Sequence, residues 1–459
     1  MRYMTEQEIE TFEPDAMIRP DLAIERARYV IDQAGYWSAN QQMGRRWAVA
    51  CVALEITQRC NLDCTLCYLS ENSEAVRDLP LEEVFRRIDL IHRHFGENTD
   101  VQVTGGEPTL RRHDELLAIV RRIRALGMRP TLMTNGIRAT RPLLERLAQA
   151  GLVDVAFHVD TTQRRKGYAD EAALNEIRRA YLERSQGLPL LVIFNTTVHQ
   201  GNFHEVPDLV RFFGGHAGAV RTASFQLAAD TGRGMRRERG AAITPESVAK
   251  QIEIGAGISI NFLASLVGHP ACTRYGMCLE AGGKLFDALD DPGFVARTLC
   301  ATAHLDLQRN DSRFMAKRLL GWLAANPAYL SPALAWAGKK VWAMRSSLIA
   351  AKGRLRTISF VIHNFMGSRT LERDRIDACV FKVMTAHGPL SMCLHNAKRD
   401  RFILQPVRFH TSAGEGFWQP LSGEVTPSCE SPGNMLPERK GMKYLKGRSK
   451  QQALEQRHE

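Results

Sequence analysis

Between residues 49 and 227 short apolar runs alternate with longer segments in which apolar residues recur every three or four positions. The short runs predict strands near 49–57, 100–104, 129–134, 153–159, 189–198 and 219–227, as in Val49-Ala-Cys-Val-Ala-Leu-Glu-Ile56. Between them, segments such as 81–92 (LEEVFRRIDLIH) and 115–126 (ELLAIVRRIRAL) carry the spacing of amphipathic helices. Six successive β/α units predict an α/β fold, a partial (β/α)6 barrel of parallel strands with a C-terminal auxiliary region. Residues 1–48 read as a helical extension, 49–235 as the core, 236–310 as a post-core region, 311–371 as a basic, Trp-containing helical segment, and 372–459 as an auxiliary region with a mobile tail. Ligand-binding residues of parallel barrels gather where the βα loops converge at the carboxyl ends of the strands.

Composition narrows the class. With 459 residues, 44% hydrophobic and 24% charged, the chain can bury a sizeable core. Ten cysteines and a polar, acidic start without a signal-peptide pattern lead to the expectation of a reducing compartment, the cytoplasm, and of metal sites over a disulfide framework. No apolar run is long enough to predict a membrane-spanning helix. A formal charge of +11 suits an anionic partner, whether lipid headgroups, a nucleotide or nucleic acid.

The candidate chemistry sits just after the first strand, at Cys60-x-x-x-Cys64-x-x-Cys67. Three closely spaced cysteines read as an iron–sulfur ligand loop, in which one iron of a [4Fe–4S] cluster has no local thiolate. Zinc is the rival, but a tetrahedral zinc site calls for a fourth Cys or His near a second short-spaced pair, and none follows within a zinc-finger span. After the second strand comes Thr104-Gly-Gly-Glu-Pro108, whose paired glycines permit close approach of backbone to a ligand.

The loop from Arg59 to Tyr68, followed by Gly105-Gly106-Glu107-Pro108 and Asn135-Gly136, resembles the radical S-adenosylmethionine (SAM) superfamily over residues 50–235. The resemblance implies a [4Fe–4S] cluster on Cys60, Cys64 and Cys67, with SAM chelating the open iron. It implies SAM contacts from Leu66, Tyr68, Gly105, Gly106, Glu107, Pro108, Asn135, Asp160 and Asn195, with Gln226 and Arg233 near the SAM carboxylate or the substrate. Glu107 is expected to orient SAM, not to act as a base. The chemistry implied is one-electron cleavage of SAM, with a donor such as flavodoxin or ferredoxin, to a 5′-deoxyadenosyl radical that abstracts hydrogen from a substrate carbon.

Further along, His269-Pro-Ala-Cys272, Cys379-Val-Phe-Lys382 and Pro389-Leu-Ser-Met-Cys-Leu-His-Asn396 resemble more loosely the tetraether-lipid-synthase-like group, which modifies unactivated alkyl chains. Cys272, Cys278, Cys379 and Cys393 could hold a second iron–sulfur cluster, with His395 as a substitute ligand, or pack as buried thiols. The chain departs from that group in lacking a cysteine-rich amino-terminal module. A long-chain lipid is the favoured substrate; a peptide, or a pterin or nucleotide, is the alternative. A reading from another class is a non-catalytic iron–sulfur or zinc protein that binds nucleic acid, although no nucleic acid is expected as a partner.

From Ser312 to Leu371 there is no Asp or Glu, while ten Lys and Arg residues are interleaved with Trp322, Trp336 and Trp342. That pattern predicts either a segment lying in the plane of an anionic membrane surface or a basic helical pair folded over the barrel mouth.

Overall fold

The computed structural model describes residues 2–17, 20–233, 243–305, 312–411 and 414–429. Helices α1 (Glu6–Thr11) and α2 (Ala23–Gln33) precede β1 (Cys51–Thr57). The core then runs α3 (Leu81–Phe95), β2 (Asp100–Gly105), α4 (His113–Ala125), β3 (Arg129–Thr134), α5 (Arg141–Gln149), β4 (Asp154–His158), α6 (Asn175–Ser185), β5 (Leu191–Val198), α7 (Val206–Gly215) and β6 (Val220–Leu227). All six strands lie where the apolar runs predict them, and each pairs in parallel with the next.

Each strand divides its side chains between two surroundings because successive residues point to opposite faces. In β1, Val52, Leu54 and Ile56 are fully buried in the main apolar core, together with Val84, Ile88 and Ile91 of α3. Cys51, Ala53 and Glu55 face the other way, into a cavity shared with Gln102, Thr104, Thr131, Ala156, Asn195 and Ser224 of the following strands. The inner positions are thus small or polar, leaving room inside the curved sheet. Helix α3 shows how the outer layer is specified. Glu82 and Glu83 occupy its first turn and His92, Arg93 and His94 its last, complementing the helix dipole, and Gly96 ends it at φ 76°.

Beyond the core come α8 (Pro245–Ala256), β7 (Thr273–Ala281), β8 (Lys284–Asp287), α9 (Pro292–Ala301), α10 (Ser312–Ala325), α11 (Leu330–Ala350) and β9 (Arg356–Asn364). They are followed by α12 (Arg373–Asp377), β10 (Phe381–Thr385), β11 (Gly388–Ser391), α13 (Met392–Ala397), α14 (Arg399–Ile403), β12 (Val407–Thr411), β13 (Gly414–Trp418) and β14 (Val425–Thr426). Here one expectation is corrected. The segment 311–371 is not helical throughout, because 356–364 forms β9, parallel to β6. The alternation Ile358-Ser-Phe-Val-Ile-His363 is the strand signal within that basic stretch. The auxiliary region joins the core sheet, because β10 pairs in parallel with β1, so both free edges of the six-stranded core are extended within one sheet. The sheet order is β11-β10-β1-β2-β3-β4-β5-β6-β9-β7-β8, with β12–β14 forming a small second sheet. His363 of β9 and Phe381 of β10 meet edge-on at 5.0 Å, so the two extension strands face one another across the interior. The expected tail lies, from residue 430, outside the described residues.

A buried ion pair fastens the C-terminal helices to the first strand. Arg399 donates to both carboxylate oxygens of Glu55 at 2.8 Å, and both side chains are almost fully buried. Burial alone would raise the pKa of Glu55, but the charge and hydrogen bonds of Arg399 outweigh it and hold the carboxyl at about 2. Because this folded-state pKa lies below the unfolded one, the pair contributes fully above about pH 4.5 and its contribution is lost as the pH falls toward 2. Removing one partner strands a buried charge, so Arg399→Met is expected to cost about 3 kcal/mol in urea unfolding at pH 7. The difference from wild type should shrink on acidification below about pH 4.5.

Candidate active site

The inner face of the sheet encloses a cavity of about 360 Å³, lined by Cys60, Cys64 and Cys67 from the loop after β1 and by the inward residues of β2 to β6 and β9. The three thiols lie within electrostatic reach of one another. Burial pushes Cys60 up to about 12 and raises Cys64 and Cys67 as well, with the Arg233 guanidinium acting in the opposite direction on Cys60 and Cys67. A metal that binds here must displace those protons. Among the described residues, no three His, Cys, Asp or Glu side chains converge on a point as ligands of one ion. The cysteines instead stand around the wall of a shared space.

Leu66 and Tyr68 line the same cavity, and the Tyr68 hydroxyl donates to the Gly105 carbonyl at 2.9 Å. Gly105 and Gly106 line it too, but their glycine character serves the chain itself. A Cβ on Gly105 would stand 1.9 Å from the Thr57 carbonyl oxygen, and one on Gly106 would stand 2.1 Å from that of Arg59. The glycines therefore let the second loop lie directly on the cysteine loop, with Gly106 N donating to Thr57 O and Glu107 N to Arg59 O, both at 2.8 Å.

Glu107 is buried and already engaged. Its carboxylate accepts from the Thr109 amide and hydroxyl at 3.1 and 2.6 Å, the Thr134 hydroxyl at 2.7 Å and the Asn135 amide at 2.7 Å. Burial raises its pKa and these donors counter the rise. In this structure it ties the loop after β2 to the loop after β3. Pro108 opens a short 3-10 turn and does not line the cavity. Asn135 does line it, and its side chain donates to Asn61.

At the end of β4 the expected residue is displaced by its neighbour. Asp160 is fully buried outside the cavity lining, capping the turn 161–163 and accepting from Thr197 N at 2.7 Å and from His158 Nε2 at 2.7 Å. His158 is the residue that faces the cavity. Burial opposes protonation of its ring, and Asp160 overrides that to raise its pKa. Arg233 is likewise behind the wall. Its backbone N–H donates to the carbonyls of Cys67 and Leu69 and its guanidinium pairs with Asp63 at 3.1 Å, so it braces the cysteine loop. Asn195 and Gln226 do line the cavity. Asn195 Nδ2 and Ser224 Oγ are buried there without a partner, as donors awaiting a polar ligand would be.

Sequence reasoning missed the wall contributed by later segments: His363 and Phe365 around the end of β9, Phe381 of β10, and Asn396 and Arg399. His363 is half-buried, and burial lowers its pKa to about 4, so its ring is neutral at pH 7. Arg399 also lies over the Tyr68 ring at 4.8 Å, joining the C-terminal segment to the cysteine loop.

Of the four cysteines expected to hold a second cluster, Cys272, Cys379 and Cys393 lie within electrostatic reach of one another without converging as ligands of one ion. Cys272, Cys379 and Cys393 interact electrostatically around Arg375, whose Nε donates to Cys272 Sγ at 3.2 Å. Cys278 does not join them. It sits in β7 opposite Asp287 of β8, within the main core. His395 stacks on Phe402 at 5.5 Å, near Glu55.

Residues 54–213 match the radical SAM superfamily. They form a radical SAM domain. Similar proteins include the 7,8-dihydro-6-hydroxymethylpterin dimethyltransferase of Methanocaldococcus jannaschii, 28% identical over 39% of this chain and 36% of that protein. The PqqA peptide cyclase of Bradyrhizobium diazoefficiens is 31% identical over 35% of this chain and 42% of its own length. Among solved structures, Streptococcus suis SuiB bound to its precursor peptide SuiA aligns over 50% of this chain and 49% of its own at 14% identity, with a TM-score of 0.33. The chain thus spans less than half the length of these relatives, and the similarity to the two curated ones lies in about a third of it.

The residues fit the groups that this domain type implies. Three thiols on one wall suit a [4Fe–4S] cluster with an iron left open, and the unpartnered Asn195 and Ser224 suit a polar ligand such as SAM beside it. Glu107→Gln turns an amide donor toward a pocket of donors. It is expected to lower stability by about 2 kcal/mol in urea unfolding and to weaken SAM retention in equilibrium dialysis of the cluster-loaded protein. Unchanged values for both would mean that the two loops are held by other contacts.

Proposed function

We propose that the chain is a radical SAM enzyme that uses Cys60, Cys64 and Cys67 to hold a [4Fe–4S] cluster and the adjoining cavity to hold SAM and a substrate carbon. The observation that carries the reading is the meeting, in one cavity, of three thiols, a wall of small and polar strand residues, and buried donors without partners. When bound, the cluster and SAM supply the family's chemistry, reductive cleavage of SAM and removal of a hydrogen atom from carbon. The protein's part is to place and to exclude. Asn135, Asn195 and Ser224 offer polar contacts, His158 is held in place by Asp160, and Phe365, Phe381 and Arg399 cover the interior from the C-terminal side.

For the substrate we favour a long-chain lipid modified at an alkyl carbon. The loose likeness of the C-terminal cysteine pattern and the aromatic wall around His363 support it. The second reading, a peptide or a pterin or nucleotide, draws on the names of the similar proteins. A second iron–sulfur cluster on Cys272, Cys379 and Cys393 belongs to the same proposal, supported by their grouping around a buried arginine and no longer including Cys278. The one-electron donor would be a flavodoxin or ferredoxin, and the cytoplasm the place of action.

The test is anaerobic reconstitution with iron and sulfide, followed by dithionite and SAM. Wild type is expected to form 5′-deoxyadenosine and to bind about eight irons per chain. Cys64→Ala should form none, and Cys393→Ala should lower the iron to about four. Nucleoside formation unaffected by Cys64→Ala would remove the assignment, and four irons in both wild type and Cys393→Ala would remove the second cluster. Deuterium from a perdeuterated lipid extract appearing in 5′-deoxyadenosine would favour the lipid over a peptide or pterin.

A further inference from the structure

Helices α10 and α11 present a surface that nothing else in the described fold covers. On α11, Leu330, Leu334, Val341, Trp342 and Ile349 fall within about a third of the helix circumference and are 44%, 62%, 58%, 70% and 79% exposed. The side turned away from them does the packing. Met344 joins a small cluster with Leu279 and Ala281 of β7, Trp336 stacks on Phe294 at 5.5 Å, and Lys340 is buried against Asp290. The helix is therefore anchored by one face while large apolar side chains stand in water on another, an arrangement that marks an interaction site. On α10, Leu320 is 67% exposed.

The charge around these residues selects the partner. Arg345 lies on the exposed stripe, 4.3 Å over the Trp342 ring, and Lys317, Arg318, Lys352 and Arg354 are also exposed. No acidic residue occurs from 312 to 371. Of the three tryptophans in the segment only Trp342 is exposed; Trp322 packs on Tyr329 at 4.9 Å and Trp336 on Phe294. No helix among the described residues is long and apolar enough to cross a membrane. Apolar side chains rimmed by cations and an exposed Trp match the layered chemistry of a bilayer surface, with acyl carbon below anionic headgroups.

We infer that the exposed face of α11, with the turn that follows it, docks the protein on an anionic lipid surface, with Trp342 and Ile349 entering the headgroup boundary and Arg345, Lys352 and Arg354 meeting the headgroups. This inference stands apart from the catalytic reading, because lipid docking requires neither cluster nor SAM, and its test is made without either.

The full-length protein is sedimented with vesicles of phosphatidylcholine alone or with about a third phosphatidylglycerol. Binding is expected to the anionic vesicles only and to weaken as salt rises. The double substitution Trp342→Ser with Ile349→Ser should reduce partitioning at least tenfold, and Arg345→Gln with Lys352→Gln should reduce it roughly fivefold per cation removed. All four positions are exposed, so circular dichroism melts should stay at the wild-type temperature; if one pair fails to fold, the other decides. Absence of wild-type binding to anionic vesicles, or binding by both variants equal to that of wild type, overturns the inference. So does a dimer in analytical ultracentrifugation that Trp342→Ser with Ile349→Ser dissociates, because a second copy of the chain would then be the occupant.

Discussion

The site depends on one buried carboxylate. Glu107 has four donors from two loops around it and no water to compete for them, so breaking the arrangement leaves a desolvated charge against unpaired N–H and O–H groups. With that carboxylate in place, the loop after β2 is fixed to the loop after β3. Gly105 and Gly106 then allow the same loop to lie on the backbone that carries the cysteines. The position of Cys60, Cys64 and Cys67 relative to the strands is therefore set by contacts within the protein. A bound group would enter a frame already assembled.

A second layer of constraint comes from the C-terminal third. A six-stranded parallel core has two open edges, and unpaired strand edges carry unsatisfied backbone groups. Here β9 and β10 cover them, each in parallel with a core strand, and both bring aromatic side chains to the interior. The Glu55–Arg399 pair then draws the following helices down onto β1, and Arg399 spreads over Tyr68 of the cysteine loop. The cavity is thus the joint product of a radical SAM domain and a C-terminal region that completes its walls.

How much of this was legible in the chain varies with the range of the interaction. The six core strands and the cysteine loop were readable because their signals are local: a period of two, a period near 3.6, and ligand spacing within eight residues. Asp160 and Arg233 follow β4 and β6, where ligand contacts gather, yet their side chains are engaged within the protein, Asp160 by the amide of its own turn and the His158 ring and Arg233 by Asp63 across the loop. Strand β9 was hidden by a stretch whose basic residues and tryptophans drew attention to helices. The grouping of Cys272, Cys379 and Cys393 without Cys278 depends on pairings between residues about a hundred positions apart, on which spacing is silent.

On this account the cysteine loop holds a cluster with an iron open to SAM inside the cavity. Low-temperature electron paramagnetic resonance of the reconstituted, dithionite-reduced protein tests this most directly, recorded before and after SAM is added. A reduced-cluster signal that changes on addition of SAM, and is lost in Cys64→Ala, is the predicted result. Tightly bound zinc without an iron–sulfur signal, or a cluster signal indifferent to SAM, would contradict it.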